Sequence, residues 1–129
     1  MEARRAPQPG RQEIRLAVPC DPEWAALLRL AVAGMAAYFD FSTSTIEDLK
    51  LAVTEAYRHA LATAGGASSI EFTFDVGASR VSIAVDAAVP RELAVDEADV
   101  SLFVLRAIAD DVTLGSAERY HLAITKAID

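Results

Sequence analysis

The segment STIEDLKLAVTEAYRHALATA, at residues 44–64, constrains the fold of this chain more than any other part of it. Apolar residues recur in it at steps of three and four, the spacing that places side chains on one face of an α-helix. A long helix with one apolar stripe must bury that stripe against another layer of the protein. The residues of the predicted buried stripe are Ile46, Leu49, Val53, Ala56, Tyr57, Ala60, Leu61 and Ala64.

Signals for both ends of this helix flank the apolar pattern. Ser44 and Glu47 fit a capping box, S-x-x-E, in which each side chain bonds to the backbone N–H of the other residue. Gly65 and Gly66 follow the last apolar residue and supply the left-handed backbone with which helices commonly end. The sequence therefore predicts a helix over residues 44–64.

A strand and a first helix precede this segment. Residues 11–18 alternate apolar with polar or small side chains, which predicts a strand with one buried face. Asp21 followed by Pro22 is typical of a helix start, with Asp as the N-cap and Pro at the first helical position. We expect this helix to continue to about Phe39.

The first helix is apolar on nearly all sides, with Glu23 and Arg29 as its only charged residues. One stripe must pack on the domain, which leaves Leu30 and Tyr38 off that stripe. Two explanations are open for the surplus: a second contact within the monomer, or a surface that binds another protein. Arg29 likewise either reaches solvent or Glu23, or pairs with a carboxylate of a partner.

The second half of the chain has the pattern of strand hairpins around one more helix. Residues 70–74 and 81–85 alternate, and the turn between them contains Gly77, which predicts an antiparallel hairpin. The remaining predicted elements are a loop at residues 87–99, a helix at residues 100–109 capped by Asp99, and a hairpin at residues 112–127 that turns at Gly115.

This order of elements predicts an α+β sandwich, with the helices on one face of a mostly antiparallel sheet. The chain has 129 residues, a length typical of one domain. Residues 1–10 are rich in Arg, Pro and Ala without periodicity, and we expect them to form a flexible tail. Residues 11–129 are expected to form a single domain.

Composition limits the classes of partner. The formal net charge of -7 and the pI of about 4.7 disfavour binding to nucleic acid and favour a basic protein partner. No apolar run is long enough for a membrane span or has the form of a secretory signal, so we expect a cytoplasmic protein. Cys20 is the only cysteine, so no intrachain disulfide or cysteine-based zinc site is expected.

Three segments, IEDLKLAVTEA, VSIAVD and LFVLRAIADDV, resemble in order and spacing those of the GHKL ATPase fold. Within that fold they resemble the anti-sigma factors and serine-protein kinases of the RsbW and SpoIIAB type, most closely the actinobacterial members. The resemblance covers residues 11–128. It implies a GHKL (Bergerat) sandwich with helices on one face of the sheet.

The resemblance implies an ATP site on the long helix, of which only part is present. The motif E-A-x-x-N-x-x-x-H supplies a catalytic Glu and a magnesium-binding Asn in the family. Here Glu55 matches, but His59 replaces the Asn and Thr63 replaces the His. Magnesium takes oxygen ligands, so imidazole is a poor substitute. Glu55 is thus either a vestigial catalytic residue or part of a solvated face, and His59 either a vestigial pocket residue or a half-exposed histidine.

Two further ATP-binding elements of the family are altered. In D-x-G-x-G the Asp binds adenine; Asp86 matches, but Ala88 and Pro90 replace the glycines. In the Gly-x-Gly phosphate cradle, Asp99 and Ser101 stand at the glycine positions, and a carboxylate there would repel phosphate. We therefore expect no cofactor and no metal, and ATP with magnesium only if the altered pocket still binds them.

The implied function is that of an anti-sigma factor that sequesters an RNA polymerase sigma factor and is released by a STAS-type anti-anti-sigma partner, without kinase activity. Arg29 has the spacing of a partner-contacting arginine in the family, and Glu23 and Leu30 would complete that surface. A homodimer is also implied. The alternatives are an active serine-protein kinase that uses Glu55, and a non-enzymatic sensor that binds another small ligand.

Overall fold

The computed structural model describes residues 12–64, 66–90, 100–115 and 119–128 of the chain. The predicted tail at residues 1–10 lies outside these residues. The described elements are β1 (Gln12–Pro19), a 3₁₀ turn (Pro22–Trp24), α1 (Ala25–Phe39), α2 (Thr43–Ala64), β2 (Ser69–Val76), β3 (Arg80–Pro90), α3 (Val100–Ile108), β4 (Asp111–Leu114) and β5 (Arg119–Ala127).

The five described strands form one sheet in the order β1-β2-β3-β5-β4, and every neighbouring pair is antiparallel. The helices pack on one face of this sheet, and α2 contacts both α1 and α3. The predicted α+β fold is confirmed, and it fits a GHKL-like sandwich. None of the helices in the described ranges has the length and apolarity needed to cross a membrane.

The alternation of each strand decides which side chains enter the core. One face of the sheet is apolar and covered by the helices, while the opposite face is polar and open. The strand residues that are buried on the covered face are Val18, Ile70, Phe72, Phe74, Val76, Val81, Ile83, Val85, Ala87, Tyr120, Leu122 and Ile124.

The stripe predicted for α2 is the side that packs on the sheet. Leu49 and Val53 are buried completely or nearly so, and the small side chains of Ala56 and Ala60 have no exposed surface. Small side chains at these positions let the helix backbone lie close to the sheet. The large side chain of Tyr57 is buried beside them.

The predicted cap of α2 is wrong by two residues. The helix begins at Thr43, and Ser42 rather than Ser44 is the N-cap, because its hydroxyl accepts from the N–H of Thr45 at 3.1 Å. Four adjacent Ser and Thr residues offer overlapping capping patterns, so the sequence alone did not select the register. The preceding helix, α1, ends at Phe39, and the left-handed backbone of its C-cap Asp40 (φ 59°) sets where the chain can start α2.

The predicted loop at residues 87–99 is also partly wrong. Strand β3 continues to Pro90, where it pairs with Arg119 after an irregularity in register between Ala87 and Pro90. Proline lacks a backbone N–H, and such a bulge is one of the few places in a sheet that tolerates it. Residues 91–99, including the predicted cap Asp99, lie outside the described part of the chain.

The position of the cap can be tested by two alanine substitutions. Ser42→Ala removes the bond to Thr45 and should lower the free energy of unfolding by about 1 kcal/mol. Ser44→Ala lies in the exposed first turn and should change it by less than about 0.5 kcal/mol. Urea unfolding of both variants measures the difference. The reverse ranking would place the cap at Ser44.

Candidate functional site

Helix α2 carries Glu55 and His59 on a buried side. The residues are 6% and 1% exposed, so neither is part of a solvated face and His59 is not half-exposed. Both side chains are polar, and α2 is amphipathic about a stripe that faces the sheet. These two positions lie beside that stripe, on the flank that faces β5, as the contact of His59 with Tyr120 shows.

Within the described part of the chain, one carboxylate oxygen of Glu55 is paired and the other has no partner. Its Oε2 accepts from Nη1 of Arg58 at 3.1 Å, and Arg58 is itself mostly exposed. Its Oε1 is buried and has no hydrogen-bond partner among the described residues. A buried oxygen of this kind usually receives a bond in the functional state, because leaving it unpaired costs free energy. Glu55 is therefore a candidate contact for a ligand, a partner or a bound water.

The imidazole ring of His59 forms a hydrogen bond to the sheet. Its Nδ1 lies 2.6 Å from the hydroxyl of Tyr120, the first buried residue of β5, and both residues are about 1% exposed. This hydrogen bond joins α2 to the sheet. His59 itself stands at the position where the family resemblance would place a metal ligand. The nitrogen that is engaged by Tyr120 does not have a free lone pair or proton for another group.

Asp86 lies on the other face of the sheet. Val85 and Ala87 are buried under the helices, so the side chain between them points to the open face. There its Oδ1 lies 2.6 Å from Nδ1 of His121, the residue opposite it on β5. The structure therefore does not bring Asp86 together with Glu55 and His59.

These placements determine how well the described residues suit magnesium and ATP. Magnesium requires oxygen donors, whereas His59 offers a nitrogen that is already bonded to Tyr120. Asp86 is turned away from the helices, so it lies on the opposite side of the sheet from Glu55 and His59. Glu55, His59 and Asp86 thus do not together form the set of oxygen donors that the family motif would supply to a magnesium nucleotide. In addition, no group of three or more His, Cys, Asp or Glu residues within the described ranges could hold a metal ion.

The outer side of α1 is apolar and exposed. Leu30 and Tyr38 are 68% and 75% exposed, so the surplus of apolar residues is not buried by a second contact among the described residues. Arg29 does not pair with Glu23; its Nη1 donates to Oγ1 of Thr54 on α2, at 3.3 Å. Large exposed apolar side chains on one helix are typical of a protein-binding surface.

The start of α1 is fixed by Tyr57, a residue whose polar role the sequence did not reveal. Its hydroxyl bonds to the carbonyl oxygen of Pro19 and lies 2.8 Å from that of Asp21, whose N–H donates back at 3.1 Å. These partners precede Tyr57 by 36 and 38 residues, and helical periodicity contains no information about them. Tyr57 thus sets where the exposed face of α1 lies relative to α2.

Comparison with known proteins places these observations in a family context. No family model matches the chain. It is 28% identical to the serine-protein kinase RsbW of Listeria monocytogenes serotype 4a (strain HCC23), in an alignment that covers 91% of this chain and 88% of the relative. The serine-protein kinase RsbW of Bacillus licheniformis is 33% identical over 76 residues, 56% of this chain and 47% of the relative. That of Bacillus subtilis (strain 168) is 40% identical over 48 residues, 37% and 30% respectively.

The class of the chain follows first from its fold, an α+β sandwich of the GHKL-like kind. The similarity to an RsbW protein over nearly the whole chain then supports the interpretation that it is an anti-sigma family member of the RsbW and SpoIIAB type.

The contact that positions α1 can be tested through its pH dependence. Tyr57→Phe should lower the free energy of unfolding by about 1 kcal/mol, because it removes the one O–H that the carbonyl oxygens of Pro19 and Asp21 share and the oxygen that accepts from the N–H of Asp21. Burial raises the pKa of Tyr57, so the folded state holds the phenolic proton more tightly than the unfolded state. The contribution of Tyr57 is therefore complete below its ordinary pKa of about 10 and is lost as the pH rises through the higher folded value.

The measurement is the difference in unfolding free energy between the wild type and Tyr57→Phe from pH 7 to 11. This difference should stay constant up to about pH 9 and shrink above about pH 10. The control is Tyr38→Phe, because Tyr38 is 75% exposed and removal of its hydroxyl should change the free energy of unfolding at pH 7 by less than about 0.5 kcal/mol. A difference that is zero at neutral pH would contradict the assigned role of Tyr57.

Proposed function

We propose that this protein is an anti-sigma factor that sequesters an RNA polymerase sigma factor through the outer face of α1, without phosphorylating a partner. The sigma factor, and release by a STAS-type anti-anti-sigma protein, come from the family resemblance. The observation that carries the proposal is the exposure of Leu30 and Tyr38 on α1, a helix whose only charged residue is Arg29.

This surface suits protein binding better than catalysis. Aromatic and aliphatic side chains supply the buried core of a typical interface, and an arginine supplies a directional contact to a carboxylate. Glu23 is exposed one turn before α1 and would lie at the edge of the same surface. A binding partner would remove apolar area from water that the described part of the chain leaves exposed.

The proposed loss of kinase activity rests on the side chains at the ATP-site positions. His59 replaces an oxygen ligand and is bonded to Tyr120, and Asp86 is paired with His121 on the open face. We infer that neither can perform the task of its counterpart in the family. The negative charge of the phosphates, which magnesium neutralises in phosphoryl transfer, would then remain uncompensated. Homodimerisation, also implied by the resemblance, is compatible with the open face of the sheet.

Partner identity is tested by affinity capture from the cytoplasm of the source cells, followed by mass spectrometry. We expect a sigma factor to be recovered at near-stoichiometric amounts in nucleotide-free buffer. Capture in which no sigma factor is ever recovered would contradict the proposal.

The interface is tested by charge reversal on α1. Arg29→Glu should weaken binding to the captured sigma factor by at least about tenfold, because it replaces an attractive charge contact with a repulsive one. The melting temperature should hardly change, since Arg29 is exposed and its described contact is one 3.3 Å bond. Arg106→Glu makes the same charge change on exposed α3 and is the matched control. Equal affinities for the wild type and Arg29→Glu would exclude α1 as the binding face.

An active serine-protein kinase is the second candidate, favoured by the names of the relatives and by the unpaired Oε1 of Glu55. Titration calorimetry with ATP and magnesium discriminates between the two. We expect no binding at nucleotide concentrations up to about 1 mM, where the binding free energy would be only about -4 kcal/mol. A dissociation constant in the micromolar range would favour the kinase.

Glu55→Gln provides an independent test, because it keeps an acceptor for Arg58 but removes the ability to act as a base. Sigma-factor affinity should remain within about twofold of the wild type, the scatter expected for a site outside the interface. A kinase whose capture of its partner depended on nucleotide chemistry would instead lose affinity in this variant.

A further inference from the structure

Helix α1 has a glycine, Gly34, in its interior, where the described part of the chain does not require one. Glycine is about fivefold less favourable than alanine inside a helix, because it loses more backbone freedom. The backbone of Gly34 is helical, so no special conformation calls for glycine there. A Cβ added to it would have no atom of the described residues within 4 Å, so space within the fold does not call for glycine either.

Gly34 is exposed on the outer face of α1, between the two large side chains that carry the proposed function. Leu30 precedes it by four residues and Tyr38 follows it by four, and residues four apart lie on the same side of a helix. Each of them is about 6 Å from Gly34 along the helix axis. Gly34 is therefore a low point between two exposed apolar side chains.

A recess of about 350 Å³ opens at this low point, between α1 and the edge strand β1. Its volume lies at the lower end of the range of about 300 to 1,000 Å³ that is typical of binding clefts. None of its lining residues is charged, and only Gln12 and Tyr38 carry a polar group, so the recess favours an uncharged, apolar occupant. The lining residues of this Gly34 recess are Gln12, Ile14, Gly34, Met35, Tyr38 and Phe39.

We infer that Gly34 is a specificity-determining residue of the outer face of α1, and that it admits one large apolar side chain of the sigma factor into the Gly34 recess. This inference rests on the proposed function and names the contact that selects the partner. A large side chain in a pocket that excludes water is typical of the few contacts that dominate an interface. The binding free energy gained from such a contact explains why α1 keeps a residue that weakens the helix.

Two substitutions of the glycine, made in the full chain, should move stability and affinity in opposite directions. Gly34→Ala and Gly34→Leu should each raise the melting temperature by about 3 °C, because both residues favour a helix more than glycine does. Binding of the purified sigma factor should weaken by at least about fivefold for Gly34→Ala and by at least about thirtyfold for Gly34→Leu, which fills more of the recess. Circular dichroism melting and equilibrium titration measure the two effects.

A matched control and the order of the two losses separate space in the recess from other effects. Ala107→Leu adds apolar bulk at an exposed position of α3 and should leave the affinity within about twofold of the wild type. The loss should grow with the size of the side chain at position 34. Equal losses for Gly34→Ala and Gly34→Leu would attribute the effect to backbone freedom and would overturn the inference.

The remaining outcomes distinguish this inference from the proposed function. If Arg29→Glu weakens binding while Gly34→Leu binds like the wild type, the inference is overturned and the proposed function stands. If either substitution of Gly34 lowers the melting temperature, the fold itself needs the glycine, and the inference is overturned. If the variants lose only self-association or only a STAS partner, the recess has a different occupant, with the same consequence. If no sigma factor binds to the wild-type protein, both proposals fail.

Discussion

The packing of α2 on the sheet is the constraint on which the rest of this structure depends. Its small buried side chains, such as Ala56 and Ala60, bring the helix close to the strands and leave its two flanks to hold the neighbouring helices. On one flank Tyr57 fixes the start of α1. On the other, Asp48 pairs with Lys126 of β5, whose ammonium also donates to the carbonyl oxygen of Ile108 at the end of α3. A displacement of α2 would therefore move every surface that is discussed above.

The two flanks of α2 also separate the two candidate functions. Glu55 and His59 lie on the flank where the family resemblance places a nucleotide, and His59 is bonded to Tyr120 there. The opposite side, with α1, has exposed apolar residues and arginines. Arg58 connects the sides, because it is exposed and paired with the buried Glu55. Glu55, which would act as a base in a kinase, thus forms an ion pair with the exposed Arg58 in this structure.

Much of the fold could be predicted because period and spacing are local properties of the sequence. The strand alternation, the stripe on α2 and the helix start at Asp21 follow from residues that are close in the chain. The cap of α2 could not be fixed, since Ser42 and Ser44 offer similar hydroxyls. The burial of His59 depends on a residue 61 positions away, which no local pattern reveals. The outward direction of Asp86 was already implied by its position next to the apolar Val85, but the family motif suggested otherwise.

The central claim is that the protein captures a sigma factor directly, without a nucleotide. The most direct measurement is equilibrium binding of the purified chain to the purified sigma factor, first with EDTA and no nucleotide, then with magnesium and ATP. The account predicts a dissociation constant of about 1 μM or lower, corresponding to at least about 8 kcal/mol, that is the same under both conditions. Binding that requires magnesium and ATP, or no binding to any sigma factor of the source organism, would contradict it.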